Sequence, residues 1–233
     1  PGYPWTPLIF VLVAAAIVLG GAGWWVATAE LDADELKLDD RRSAFIRVAP
    51  VARVVWDARD RFVAAACDVL VASGRLARGA DITVGSLGNG PSVVAPPTDP
   101  ADVGALNRAL ARRGVTWRFG TRTLAPAFTD STAVLGRHTL LQRYTLESTG
   151  SGRTGVVLTA GGAPWAVRSA GVVLLGSRLE SDWTDLPLSA EFVPFMDRLL
   201  NRIARGELTM LDGVPGEPVT LPDLATEVRA GAR

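Results

Sequence analysis

Two residues that occur once each carry most of the reactive chemistry this sequence has: Cys67 and His138. In α/β hydrolytic enzymes a nucleophilic cysteine sits on a tight, glycine-flanked strand-to-helix turn, where backbone N–H groups stabilise the oxyanion. Cys67 stands instead within "VAAACDVL", in mid-helix by its pattern and with alanines before it. That placement predicts a small core residue. His138 follows Gly136 and Arg137 at the start of a strand-like run, and its local stretch offers no acidic residue to orient a general base. A single cysteine rules out a disulfide framework within the chain. With only one histidine beside it, a zinc site would have to be built from carboxylates.

Three other patterns invite chemistry. "VGSLGNGPS", Val84 to Ser92, is glycine-rich and follows a strand. A phosphate cradle needs a helix N-terminus directly after it, whereas Pro91 and "SVVAPP" follow here and the lysine of a nucleotide loop is missing. A turn between strands is expected. The carboxylates packed between Glu30 and Asp40 lack the glycine and terminal glutamate spacing of a calcium loop, so they read as a solvated turn. Asn107 faces the apolar stripe of its helix, and if buried its amide must find partners, most simply on a neighbouring backbone. No residue is expected to act as a catalyst, to bind a cofactor or to ligate a metal, so the chain reads as no enzyme.

The elements that would position these residues follow from periodicity. The chain has 233 residues, 48% of them apolar, which suffices for one sizeable α/β domain with smaller flanking pieces. Its formal charge is zero, which removes the electrostatic footprint of a nucleic-acid binder. "VARVVWDA" reads as a buried strand, followed by a helix in "RDRFVAAACDVLVASGR" with Phe62, Ala66, Val69 and Leu70 on one face and Gly74 past its end. "GADITVGS" and "PSVVAPP" are the next strands. "TDPADVGALNRALARRG" opens as a helix should, with Asp99 as cap and Pro100 in the first turn; Val103, Leu106 and Leu110 form its stripe. "VTWRFG" alternates as a strand. Strands alternating with helices predict a mostly parallel sheet flanked by helices. After Gly120 the strand-like runs are joined by glycine-rich turns, which predicts a meander.

The first residues are ambiguous. From Pro4 to Ala29 there is no charge, enough for a membrane helix over 7–29. Gly20, Gly21 and Gly23 interrupt that run and no basic residue precedes it, so residues 1–48 read as a β-hairpin or sandwich-edge segment, with the membrane helix plus hairpin as the alternative. Residues 49–207 form the α/β domain, and 208–233 begin a further β module or tail.

"SDWTDLPLSAEFVPFMDRLLNRIARG", Ser181 to Gly206, leaves a buried strand and starts a helix with a proline near its front. Trp183 can cover the sheet end while its N–H bonds a loop carbonyl. Asp185 can accept hydrogen bonds from the turn, Leu186 and Pro187 fix the chain direction, and Ser189 can cap the helix beyond it. Phe192, Met196, Leu199 and Ile203 recur at helical spacing, and Pro194 is tolerated only in the first turn, which places the helix over 192–205.

This stretch, with "ELDADELKLDDRRSAFIRVAP" before the domain, resembles bacterial membrane proteins of the BatA type associated with aerotolerance. The resemblance implies a degenerate class I glutamine amidotransferase-like fold and a non-catalytic interaction or scaffolding domain. It also implies association with the bacterial cell membrane, and as partners the other domains of a longer protein, other envelope proteins and a MoxR-type ATPase. The sequence departs from related catalytic and metal-binding domains: it has no Gly-x-Cys-x-Gly elbow, no His-x-Glu pair and no Asp-x-Ser-x-Ser motif. Two alternatives stay open. One is a divergent amidotransferase or hydrolase-like enzyme using Cys67 or His138; the other is a small-molecule sensor binding at the carboxyl ends of the strands, near "VGSLGNGP" and "APPTDP".

Overall fold

The computed structural model describes residues 23–30, 41–48, 50–132, 135–150, 155–205, 210–213 and 228–230. The chain divides into two compact units, one made of residues 1–50 and 205–233 and the other of residues 51–204. In the first unit, β1 (Gly23–Glu30) and β2 (Arg41–Val48) pair antiparallel. The expected membrane helix over 7–29 falls mostly outside the described residues. Among those described, no helix is long and apolar enough to cross a membrane.

The second unit is α/β, with a mostly parallel seven-stranded sheet flanked by helices. Its elements are β3 (Ala52–Trp56), α1 (Arg61–Ala72), β4 (Leu76–Arg78), β5 (Ile82–Gly85), β6 (Ser92–Val94), α2 (Val103–Arg112), β7 (Trp117–Thr123), β8 (Ala127–Phe128), β9 (Thr139–Leu140), β10 (Arg143–Ser148), β11 (Val156–Ala160), β12 (Ala163–Ser169), β13 (Val172–Leu175) and α3 (Phe192–Arg205). The sheet order is β11-β12-β13-β6-β5-β3-β4. The ladders from β4 to β13 are parallel, and β13-β12-β11 is an antiparallel meander. In the other unit, β14 (Met210–Gly213) pairs with β2 and β15 (Val228–Ala230) with β1.

Successive residues of a strand face opposite sides, and the core divides accordingly. Val93, Val173 and Leu175 join the cluster under α1 and α3, while Val94, Val172 and Leu174 join the cluster under α2, β7 and β10. On α3 the expected stripe of Phe192, Met196, Leu199 and Ile203 is buried, with Phe195 and Leu200 beside it. Each such side chain contributes roughly 1.5–3 kcal/mol of transfer free energy. On α1 the buried set is Val63, Ala66, Cys67 and Leu70. The expectation fails at Val69, which is 53% exposed: the face is rotated by one position towards Cys67.

Two strands differ from the sequence reading. β4 gives no periodic signal because it has three residues, and a tight return over residues 79–81 carries the chain from one side of β3 to the other. There Gly79 donates to the Val54 carbonyl (3.1 Å) and Asp81 to that of Arg53 (3.1 Å). A Cβ on Gly79 would stand 2.6 Å from that of Arg53, so glycine is required. β7 alternates as expected, but it leaves the main sheet to pair antiparallel with β10. Asn107 shows why. Its side-chain Nδ2 donates to the Phe119 carbonyl (2.7 Å) and its Oδ1 accepts from the Phe119 N–H (2.9 Å), so α2 pairs with β7 as a neighbouring strand would.

Both hairpins of the meander have two-residue loops whose central residues take positive φ: Gly161 (59°) with Gly162 (73°), and Ala170 (48°) with Gly171 (74°). This backbone twist matches the flanking strands. Ala170 has a Cβ where asparagine is the favoured residue. Replacing Ala170 by Asn should stabilise the fold by about 0.5–1 kcal/mol, read as a raised urea midpoint at unchanged slope.

Candidate functional site

Cys67 lies in the middle of α1 with no exposure, in the core rather than on a strand-to-helix turn. Burial pushes its thiol up to about 12, with Asp68 adding to the effect and Arg78 opposing it. At neutral pH the sulfur is a protonated thiol, and the thiolate is the reactive form.

His138 is also largely buried, and the structure supplies the acidic partners its local stretch lacks. Asp185, 47 residues away, places Oδ1 3.2 Å from Nδ1, and Glu191, 53 residues away, places Oε2 3.0 Å from Nε2. Each carboxylate oxygen has a second donor: Thr139 N–H reaches Asp185 Oδ1 (3.0 Å) and Gly136 N–H reaches Glu191 Oε2 (2.7 Å). The His138 N–H donates to Thr129 Oγ1 (2.7 Å), and the Thr129 N–H donates to the His138 carbonyl (2.9 Å). The ring is thus the centre of a clasp that ties the β8–β9 hairpin to the segment entering α3. With a carboxylate against each nitrogen, neither is left to take a proton from a thiol or a water.

The signature residues form the other half of that clasp. Trp183 is almost fully buried, stacked on Tyr144 with ring centroids 6.2 Å apart and with the Arg122 guanidinium 5.0 Å over its ring. Its backbone carbonyl accepts from Leu141 (2.8 Å). The indole-to-loop bond expected of Trp183 is found at Trp165, whose Nε1 donates to Ser177 Oγ (3.2 Å). Leu186 and Pro187 are buried in a single 3-10 turn, Leu186–Leu188. Ser189 Oγ donates to the Leu186 carbonyl (2.9 Å) and accepts from the Glu191 N–H (3.2 Å), which caps the entry to α3. Phe192 is buried, and Pro194 lies exposed in the first turn, where its missing N–H costs nothing.

The loop over Val84 to Ser92 turns its carbonyls inward. Arg113, just past α2, donates to the carbonyls of Gly88 and Gly90, and Ser92 Oγ accepts from the Gly88 N–H (3.1 Å) and donates to the Gly90 carbonyl (2.9 Å). A loop whose carbonyls converge on a cation is the opposite of a phosphate cradle. The Glu30–Asp40 carboxylates lie largely outside the described residues. Among those described, no group of His, Cys, Asp and Glu is arranged to hold a metal ion.

One polar cluster escaped the sequence reading. Beyond the carboxyl ends of β5, β6 and β13, Arg178 joins Asp60 (2.6 Å), Glu180 (2.7 Å) and the Pro96 carbonyl (3.3 Å). Asp60 precedes α1 without capping it through its side chain. Burial pushes its carboxyl above the usual aspartate range, Arg178 opposes that, and Glu180 and Asp57 add to it. Gly85 at φ +95° admits this carboxylate, since a Cβ there would lie 2.8 Å from Asp60 Oδ2. The available signal was positional: Asp60 and Arg178 each follow a strand of the parallel sheet within a few residues.

No protein-family model matches the sequence, and neither does any curated protein. Among solved structures, an exo-beta-1,4-mannosidase, Op5Man5 from Opitutaceae bacterium strain TAV5, is similar over 62% of this chain at 16% identity and a TM-score of 0.38. The match spans 29% of the mannosidase chain.

Glu191 has a testable titration. The Gly136 N–H first, and His138 second, hold its carboxyl below the ordinary value of 4.5. A depressed folded value gives stability that is present above 4.5 and lost as the pH falls through the folded value. Glu191→Gln should therefore flatten the acid side of a plot of unfolding midpoint against pH, relative to the parent chain.

Proposed function

We propose that residues 51–204 are a non-catalytic interaction module of a larger bacterial envelope protein, built on a degenerate amidotransferase-like α/β fold. The observation that carries this reading is the state of the two groups best suited to catalysis. Both nitrogens of His138 face carboxylates that also hold backbone amides, and the Cys67 thiol is buried with its proton held up to about 12. Supporting it, the residues from Trp183 to Pro194 all have packing or capping roles, and this is the stretch that resembles BatA-type proteins.

The purified chain, offered glutamine, simple amides and activated esters, should show no turnover above the rate of His138→Gln and Cys67→Ala variants. Hydrolysis that disappears with either substitution would replace this reading with the enzymatic one. A MoxR-type ATPase is the partner the resemblance suggests. Mixed with it at tens of micromolar, the chain should co-elute in size-exclusion chromatography, and separate elution removes that partner.

A further inference from the structure

The strand sequence changes direction at β3: the chain goes through α1 to β4 on one side and then to β5 on the other. In open α/β sheets, ligands bind in the crevice beyond the carboxyl ends of the strands at such a switch. A crevice lies there. Its floor is Val63, Val84, Val93 and Leu175, and Asp60, Arg178 and Glu180 stand on its wall. Together with the solvent at its mouth it measures about 300 Å³.

The way Arg178 is held identifies the ligand chemistry. A guanidinium offers the parallel N–H groups of its Nε/Nη2 edge to a carboxylate, which in the strongest arrangement answers with two oxygens. Here that edge meets a single atom, Glu180 Oε1, at 2.8 Å from Nε and 2.7 Å from Nη2. Nη2 also serves Asp60 Oδ1 at 2.6 Å. Two carboxylates thus crowd one cation, and Glu180 is the more exposed of them, at 34% against 15% for Asp60. Glu180 is therefore the partner that leaves at least cost. Its place on the edge is that of a tethered stand-in for a free carboxylate, and beneath it the floor is hydrocarbon.

We propose that this crevice binds a short branched aliphatic carboxylate, whose two oxygens take the Nε/Nη2 edge of Arg178 from Glu180 while its hydrocarbon packs on Val63, Val84, Val93 and Leu175. The exchange replaces one carboxylate by another, so no additional uncompensated charge is buried. Asp60 keeps its bond to Nη2. The site goes beyond the proposed interaction role, which stands with or without a ligand.

The test is a ¹H–¹⁵N NMR titration of the full chain with isovalerate, with isoamyl alcohol as the uncharged probe and inorganic phosphate as the anion without hydrocarbon. Isovalerate should shift the amides of Gly85, Val93 and Arg178 in a saturable way, and the two control probes should leave them in place. Glu180→Gln removes the competing carboxylate and keeps the Glu180 carbonyl that accepts from Trp183 and Thr184, so it should bind isovalerate roughly tenfold more tightly. Arg178→Lys loses the two-pronged edge and should bind it roughly tenfold more weakly. The proposal is overturned if isovalerate moves these amides in neither the parent chain nor the Glu180→Gln variant. It is equally overturned if isoamyl alcohol or phosphate titrates as well as isovalerate does, or if Glu180→Gln leaves the affinity unchanged.

Discussion

The architecture depends on one strand that has no solvent side. All four residues of β13, from Val172 to Leu175, are buried, and they alternate between the two hydrophobic clusters. A strand buried on both faces needs a layer on each. α1 and α3 supply one layer, and α2 with the β7–β10 ribbon supplies the other. β13 is also where the parallel half of the sheet meets the antiparallel meander. The chain beyond Leu175 must leave this double-sided core without stranding polar backbone. The residues from Ser177 to Ser189 do so through a chain of specific bonds: Ser177 to the Gln142 carbonyl, Leu141 to the Trp183 carbonyl, Asp185 to the Thr139 N–H.

A second regularity concerns where polar side chains are used. Asn107, Asp185, Glu191 and Ser92 all bond to backbone on elements distant from their own or to turns beside them. These are joints between pieces of structure. A carboxylate that holds a backbone amide and an imidazole at once is fixed in place by both, and the imidazole gains orientation from two directions. Catalytic histidines are oriented by one partner and leave the other nitrogen free for the proton they move. The arrangement around His138 uses both.

Much of the α/β layout was legible in the sequence. The bounds of α3 followed from the spacing of Phe192, Met196, Leu199 and Ile203 with Pro194 in the first turn, and the backbone pairing of Asn107 followed from a polar residue on an apolar stripe. What stayed hidden has a common physical cause: contacts between residues far apart in the chain leave no local trace. Asp185 and Glu191 lie 47 and 53 positions from His138, and Asp60 lies 118 from Arg178. β4 was hidden for another reason, since three residues are too few to display an alternation. On α1 the stripe was misplaced by one position because alanine and cysteine carry little contrast against valine, so the helix face was underdetermined until the sheet selected it.

The pairing of β1 and β2 with β14 and β15 carries a consequence for biosynthesis. Trp24 lies opposite Val228, and Ile46 opposite Met210, so this sheet closes only after the intervening polypeptide has been made. Closing so long a loop in an unfolded chain is entropically costly, and pairings of high sequence separation form slowly. Domains emerging from a ribosome tend to condense as units. If the middle unit collapses first, it acts as a compact spacer that shortens the distance the two outer hairpin partners must search, and the β sheet becomes the last part of the molecule to assemble.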